Sequence, residues 1–512
     1  LDVSTGPNDS VTAPVGLREA ALLGRFMGEQ DGQAGRALAG FVAGLGDPLA
    51  DWFGAQTAAR IEGDENLRRA LLSRDIARID RMLSEQVDAI LHVARLRRLE
   101  GAWRGLRWLV SRIESGARIK VKLLTIGWTE LVRDLARAPE FDQSNLFRRI
   151  YEDEFGMPGG EPYGLLVVDY EVRHRPTREA PTDDTEALAS LASVAAAAFA
   201  PMVLAAHPAL LDVDDWADIA LSADPAGTMR DTAHGPWRAL GERADMRFLG
   251  VALPRLLARL PWRDDPARRD GFRYREHAPD SASRVWMTAG YALAAATVRA
   301  HAAFGWPADV RGVDTDREGG GLITGLPAED FSTDPPDVWA RPPLDLVLND
   351  RQERALVEAG LMPLASIPYT TDAAFTALRT LQTPQRYAGP TGAAATANAR
   401  LSSQFHSMLC VSRFAHYVKL MGRDMVGSLK TPEEIEQKLQ AWLNRYVDAS
   451  RGSGPEARAK RPLLSGRVTV ADRPGRPGVF GCTVLLQPHF QLEDVAATFR
   501  LTTELTAMGR AA

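Results

Sequence analysis

Residues 141–172 read FDQSNLFRRIYEDEFGMPGGEPYGLLVVDYEV, and this stretch decides the fold. Asp142 or Ser144 is placed to cap a helix, because a short side-chain oxygen there accepts from the free N–H groups of the first turn. Leu146, Ile150 and Tyr151 then share one face with Phe147 beside them, while Arg148, Arg149, Glu152 and Asp153 take the other. The helix should stop near Phe155. Gly156, Pro158, Gly159, Gly160 and Pro162 form a cluster of breakers, and Leu165–Val168 follow as an apolar run fit for a strand buried on both faces. The predicted unit is helix, sharp turn, core strand.

Upstream, IKVKLLTI at 119–126 alternates and then runs apolar, which predicts a strand closed by Gly127, with Thr129 capping the next helix. Asp64–Val110 predicts a long helical region. Ile76, Ile79, Leu83, Val87, Ile90 and Leu91 keep a 3.6-residue spacing, and Trp103, Leu106 and Leu109 resume it after Gly101. Arg95, Arg97, Arg98, Arg104 and Arg107 read as a solvated face with local acidic partners, and Trp103 as part of the apolar stripe. Residues 15–46 read as short helical pieces that either dock on a partner or pack on their own domain. Residues 1–14, with Gly6, Pro7, Asn8, Asp9 and Pro14, read as a flexible arm.

Downstream, the Ala-rich run Leu188–Ala206 predicts a buried helix, and Asp212, Asp214, Asp215 and Asp218 an acidic helix start rather than a calcium loop. Residues 284–312 read as a small-residue helix ended by Gly305, Trp306 and Pro307. Gly319–Gly321 lack the lysine of a phosphate loop and suit a turn before a short strand, Leu322–Thr324. Residues 344–364 read as strand, turn, helix and a stop at Gly360. Asn398–Met421 is apolar around most of its circumference and predicts an enclosed rod; Thr431, Pro432 and Glu434 start another helix. Finally, two strands around a turn carry Val468 and Val470, then Val484, Leu486 and Phe490, with a closing segment after them. Such a hairpin leaves edges that strands of neighbouring chains can complete.

At 512 residues the chain suggests two to four domains on a prior of about 150 residues each. Hydrophobic residues make up 45% and charged residues 25%, the balance of a globular protein. A formal net charge of −5 argues against a dedicated nucleic-acid binder. Cys410 and Cys482 are the two cysteines, too few for a disulfide framework and suited to a reducing compartment. The start LDVSTGPNDSVTAPVG lacks the features of a signal peptide, and no run approaches the roughly 18 apolar residues of a membrane span. GxSxG, HExxH, CxxC and Walker patterns are all missing, and the nine histidines are scattered, so no catalytic residue, cofactor site or metal site is expected.

The motif FDQSxLFxxIYExEFGxxGGEPYGxLxxDYE resembles the signature of the large sheath subunit of bacterial type VI secretion systems, the TssC or VipB family. Further blocks are similar to that family in matching order between about residues 75 and 505: EQxDAILH from Glu85, LPRxLxRLPW ending at Trp262, SRFAHYxKxxxRDxxGS from Ser412 and PHFQLE from Pro488. The resemblance implies a structural protein, not an enzyme. Its fold would be α/β, a mixed multi-domain, contractile-tail-sheath-like fold whose N- and C-terminal segments complete sheets with neighbouring chains. The expected divisions are an arm with peripheral helices over 1–70, a central α/β region over 71–395 and a C-terminal domain over 396–512. Phe141, Asp142, Glu161, Pro162 and Tyr163 form one structural motif; Arg413, His416, Tyr417, Arg423 and Asp424 read as a buried polar network that fixes helix register. Val468, Val470, Val484, Leu486 and Phe490 are the inter-subunit strand candidates. The implied partners are a small sheath subunit (TssB or VipA), further copies of this chain, the Hcp inner tube, a ClpV-like AAA+ ATPase and the baseplate. Nucleic acid and membrane insertion are not expected, and the implied location is the bacterial cytoplasm. Residues 1–70 match the family least, and mark the chain as a candidate second type of large subunit.

Overall fold

Asp64 starts a helix of 27 residues: its carboxylate accepts from the Leu67 N–H at 3.0 Å, and α1 runs from Glu65 to Leu91. The computed structural model describes residues 16–24, 33–157, 159–269, 271–313, 318–329, 335, 341–389, 392–426, 431–450, 454–472, 480–489 and 499–505. The chain divides into two compact units, one of Leu1–Arg97 with Pro261–Arg284 and one of Arg98–Leu260 with Val285–Ala512.

In the first unit α1 is preceded by short helices at Leu17–Leu22, Gln33–Val42, Pro48–Phe53 and Ala55–Glu62. The buried residue of α1 is polar. Asp75 accepts from Arg18 Nε at 2.6 Å, Arg18 Nη2 at 2.8 Å and the Trp52 indole at 3.1 Å, and the Arg18 hydrogen bond lowers its pKa. Together with buried Leu17, Ala20 and Leu22, this packs the first helix on its own unit. The returning segment is tied down by the Tyr274 hydroxyl, which donates to Asp88 at 2.7 Å, and by Glu276, which accepts from the Trp262 N–H at 2.8 Å and faces His92 at 3.3 Å.

The core of the second unit is a parallel sheet in the order β1 (Leu166–Val172), β2 (Met202–Ala206), β3 (Leu249–Leu253), β4 (Met362–Pro363). Side chains alternate across it, as the two-residue period of a strand requires. Met202, Leu204, Leu249 and Val251 join a core that includes Leu188, Leu191 and Ala195, on a helix over Asp184–Ala198 begun by Asp183. Val203 and Ala252 join a second core with the helix Ala289–Phe304. That helix owes its close approach to its small residues, with Gly290 set against Val167 and Val203. Helix α2 (Ala94–Ser111) also nears another backbone, because a side chain at Gly101 would overlap the Trp286 carbonyl. The chain ends in an antiparallel sheet, β5 (Leu463–Asp472), β6 (Phe480–Pro488) and β7 (Phe499–Leu505), with β6 in the middle.

The expected mixed α/β fold is present, with these corrections. β1 is an edge strand, half-buried from Leu166 to Glu171, not one buried on both faces; the fully buried strands of this sheet are β2, β3 and the short β4. The Ala-rich run is a helix only to Ala198, and Met202–Ala206 is a core strand because β-forming MVL follows Pro201. Ile119–Ile126 forms no strand and pairs with no backbone among the described residues, and Gly127 rather than Thr129 is the N-cap of α3 (Trp128–Arg137). The apolar stripe of α1 faces solvent at Ile76, Leu83 and Ile90, and Trp103 is exposed as well. The enclosed rod is two helices, Gly392–Ser402 and Phe405–Val426, broken at Ser403 and Gln404. The expected arm over 1–14 lies outside the described residues.

Candidate functional site

Of the two candidate caps in the opening motif, Ser144 is used: its hydroxyl accepts from the Phe147 N–H at 3.1 Å, after a single 3₁₀ turn at Phe141–Gln143. Asp134 of α3 accepts from the Asn145 and Leu146 N–H groups at 3.2 and 2.9 Å, which fixes the motif to its neighbour. Leu146, Phe147 and Ile150 are buried as the pattern predicts. The helix then widens into a π-helix, Arg148–Gly156, a form the pattern did not announce. Rings climb along it: Phe141 lies edge-on to Phe147 at 5.8 Å, Phe147 stacks on Tyr151 at 4.9 Å, and Tyr151 meets Phe155 edge-on at 5.3 Å.

The chain doubles back so tightly at Gly160 that a Cβ there would overlap the Glu154 carbonyl. Glu154 anchors the turn, accepting from the Lys122 ammonium, the Tyr163 hydroxyl at 3.3 Å and the Glu161 N–H at 3.4 Å; the Lys122 hydrogen bond holds its carboxyl below the usual range. Glu161 pairs with Lys120 at 2.7 Å, Pro162 and Tyr163 are half-buried, and Asp142 is exposed.

The second signature stretch packs against the first. On the helix Phe405–Val426, His416 is buried with its ring edge-on to Phe155 at 5.3 Å, and its Nε2–H donates to the Ala198 carbonyl at 2.9 Å. Arg423 reaches the Phe155 carbonyl at 3.5 Å. Lys419 lies 5.0 Å from the Phe199 ring, 5.3 Å from Phe155 and 5.7 Å from Tyr151, and burial lowers its pKa. Arg413 pairs with Tyr417, hydroxyl at 3.3 Å and ring centre at 5.1 Å. These are separate contacts rather than the single buried network expected, and Asp424 is 76% exposed. Sequence reasoning missed Lys419 and its partner Phe199, which sits at φ 49°; nothing in their spacing announces that they meet.

One cluster has metal-ligand chemistry. His174 Nε2 lies 2.9 Å and His234 Nδ1 3.6 Å from the Asp212 carboxylate, and both rings are buried. The rings stack at 3.7 Å with 19° between their planes. An ion lies in the plane of each imidazole that binds it, so two nearly parallel stacked rings do not converge on one ion. Instead, Asp212 accepts from His174 Nε2–H and from Arg175 at 3.0 Å, while His234 Nε2–H donates to the Leu210 carbonyl at 3.0 Å. Burial lowers the pKa of His174.

Among the strand candidates, Val468, Val470, Val484 and Leu486 are buried in the core of their own chain, and Phe490 lies outside the described residues. The hairpin expected at this end has a third strand, since β7 pairs with β6 from Phe480↔Leu505 to Leu486↔Phe499.

Two family models match this architecture: EvpB/VC_A0108, tail sheath N-terminal domain, over residues 73–382, and the tail sheath gpW/gp25-like domain of the same family over 394–505. The chain belongs to the VipB family of tail sheath proteins. It is 35% identical over 464 residues to the type VI secretion system sheath protein TssC1 of Pseudomonas aeruginosa, an alignment that covers 88% of this chain and 91% of that protein. The large sheath subunit of a type VI secretion system is therefore the VipB-family type to which it corresponds, and the family is structural. In this VipB-family chain the two motif stretches act as packing partners, with His416, Arg423 and Lys419 meeting the Phe155 turn. No helix among the described residues is long and apolar enough to cross a membrane.

Proposed function

We propose that this chain pairs with a small sheath subunit of the TssB or VipA type and stacks with further copies into a helical sheath around an Hcp inner tube. Contraction of the sheath drives the tube outward from the bacterial cytoplasm, a ClpV-like AAA+ ATPase recycles the contracted form, and a baseplate anchors the assembly. The chain acts by shape and contact rather than by catalysis. The observation that carries this reading is the match of both sheath domains, in order, over residues 73–382 and 394–505. Strands of neighbouring chains complete the C-terminal sheet at the outer edge of β7, which pairs with β6 on its other side and with nothing else among the described residues. Co-expression with a small sheath subunit of the TssB or VipA type, followed by electron microscopy, tests the proposal. Striated tubes are expected; two separately purifying, non-interacting chains would overturn it.

A further inference from the structure

Basic side chains gather at the carboxyl ends of β1, β2 and β3. Val172 and Ala206 oppose each other in the ladder and both join the core that holds Leu188, and the His207 N–H extends the ladder to the Val172 carbonyl at 3.1 Å. By the two-residue period of a strand, Arg173 and His207 therefore emerge side by side on the other face of the sheet. Beyond the end of β3, the Arg255 guanidinium lies 5.9 Å from the Trp286 ring, and the Trp286 carbonyl is the group against which Gly101 of α2 is set. Arg98, one helical turn before Gly101, thus belongs to the same corner. Charge from Arg173, Arg255 and Arg98 adds to burial in pushing the pKa of His207 down to about 4. The Ala209 N–H donates to His207 Nδ1 at 3.1 Å, which leaves the ring proton on Nε2, and that N–H has no protein acceptor among the described residues. The carboxylates of the corner are already engaged: Asp345 accepts from Arg255 Nε at 2.8 Å, Glu171 lies 3.9 Å from Arg255 Nη1, and Asp215 caps a helix through the Ala217 N–H at 2.8 Å. Arg98 and Arg173 form no ion pair among the described residues.

We propose that this corner binds a phosphate group, held by Arg98, Arg173 and the Nε2–H of His207. Guanidinium groups meet oxyanions through paired N–H donors, and a neutral imidazole adds a third donor without a third charge. Donors that arrive from two strand ends and from a helix suit a tetrahedral oxyanion, whose oxygens point in several directions, better than a planar carboxylate. The place is also the one where open parallel sheets hold ligands, outside the carboxyl ends of their strands. A bound anion relieves the mutual repulsion of Arg98, Arg173 and Arg255. Inorganic phosphate and a phosphate ester present the same group to these donors. The proposal stands independently of how the chain assembles.

Calorimetric titration of the full-length chain, in the soluble form that co-expression yields and in phosphate-free buffer, tests it with inorganic phosphate and with AMP as probes. Saturable binding with a Kd of about 1 mM or tighter is expected. Tighter binding of AMP than of phosphate would assign the site to a phosphate ester, and equal or weaker binding of AMP to the free anion. Arg173→Gln and Arg98→Gln should each weaken the binding at least ~10-fold, since each removes charge-assisted hydrogen bonds. Arg98 is exposed on its helix, so its replacement leaves the fold intact even if that of Arg173 does not. Arg354→Gln, which removes an exposed charge from the helix Asp350–Glu358, should leave binding unchanged. Binding that does not saturate, or that Arg98→Gln and Arg354→Gln affect equally, would mean an adventitious ion only and would overturn the proposal.

Discussion

His416 joins three parts of the second unit, the π-helix through Phe155, the end of the Ala-rich helix through the Ala198 carbonyl, and its own helix. Burial pushes its pKa down to about 3, and that of His207 to about 4. The folded state therefore holds both rings neutral, whereas in the unfolded chain they titrate near 6.5. Between those values the unfolded state binds more protons, so stability is full above about pH 6.5 and falls as pH drops toward 3–4. Each ring contributes a slope of up to about 1.4 kcal/mol per pH unit. Chemical denaturation of the purified complex at pH 7, 6, 5 and 4 should show this decline, with His416→Gln flattening it; an unchanged slope in the variant would show that His416 does not titrate on unfolding. At pH 7, His416→Ala leaves the Ala198 carbonyl unmet and opens space beside Phe155, and should cost about 2–4 kcal/mol by the same measurement.

Among the elements, those with local chemistry were legible in the sequence. Thr431 caps the helix Pro432–Leu443 in a reciprocal box with Glu434, Gly305 ends its helix at φ 76°, and Asp215 and Asp218 form the acidic start expected of them. What depended on distant partners was not. The third C-terminal strand, Phe499–Leu505, follows residues with no strong turn signal, and the solvent-facing stripe of α1 looks identical in sequence to a buried one. The signature motif was recognisable as helix, turn and strand, but the Phe155–His416 contact joins residues 261 positions apart, beyond any local rule. The third strand also changes what Val484→Pro would do. The Val468 N–H is taken by the Gln440 side chain at 2.8 Å, so Val468 and Val484 oppose each other without exchanging ladder bonds, and the Val484 N–H faces Leu501 on β7. Proline there should detach β7 and spare the β5–β6 pair, at a cost of about 1–3 kcal/mol for the lost bond. Faster amide exchange confined to 499–505 is the expected signature. Equal acceleration across 463–472 would mean that the sheet melts as one unit.

At the scale of the whole molecule, the exposed apolar side chains are too many and too ordered for a chain that works alone. On α1, Ile76, Leu83 and Ile90 recur every seven residues at 54%, 43% and 62% exposure, which keeps them on one face with a drift of only about 20° per repeat. In the second unit Leu99, Trp103 and Val110 of α2 and Leu123 and Leu124 of the unpaired segment are exposed in the same way. Apolar exposure repeated along one element in this way drives association unless a partner covers it. The chain expressed alone should therefore aggregate, and co-expression with the small subunit should recover it as a soluble complex; a monodisperse monomer at micromolar concentration would refute this. The α1 stripe allows a sharper test. Because Ile76, Leu83 and Ile90 are each only about half-buried in the chain itself, replacing all three with Gln should cost its stability no more than about 3 kcal/mol in total, about half of what three fully buried side chains would cost. The same triple variant should raise the soluble fraction of the chain expressed alone and, by removing the surface that partners cover, abolish tubes in the co-expressed system. If it still forms tubes of normal length, α1 is a solvent-facing helix in the assembly, and the need for a partner lies in the second unit.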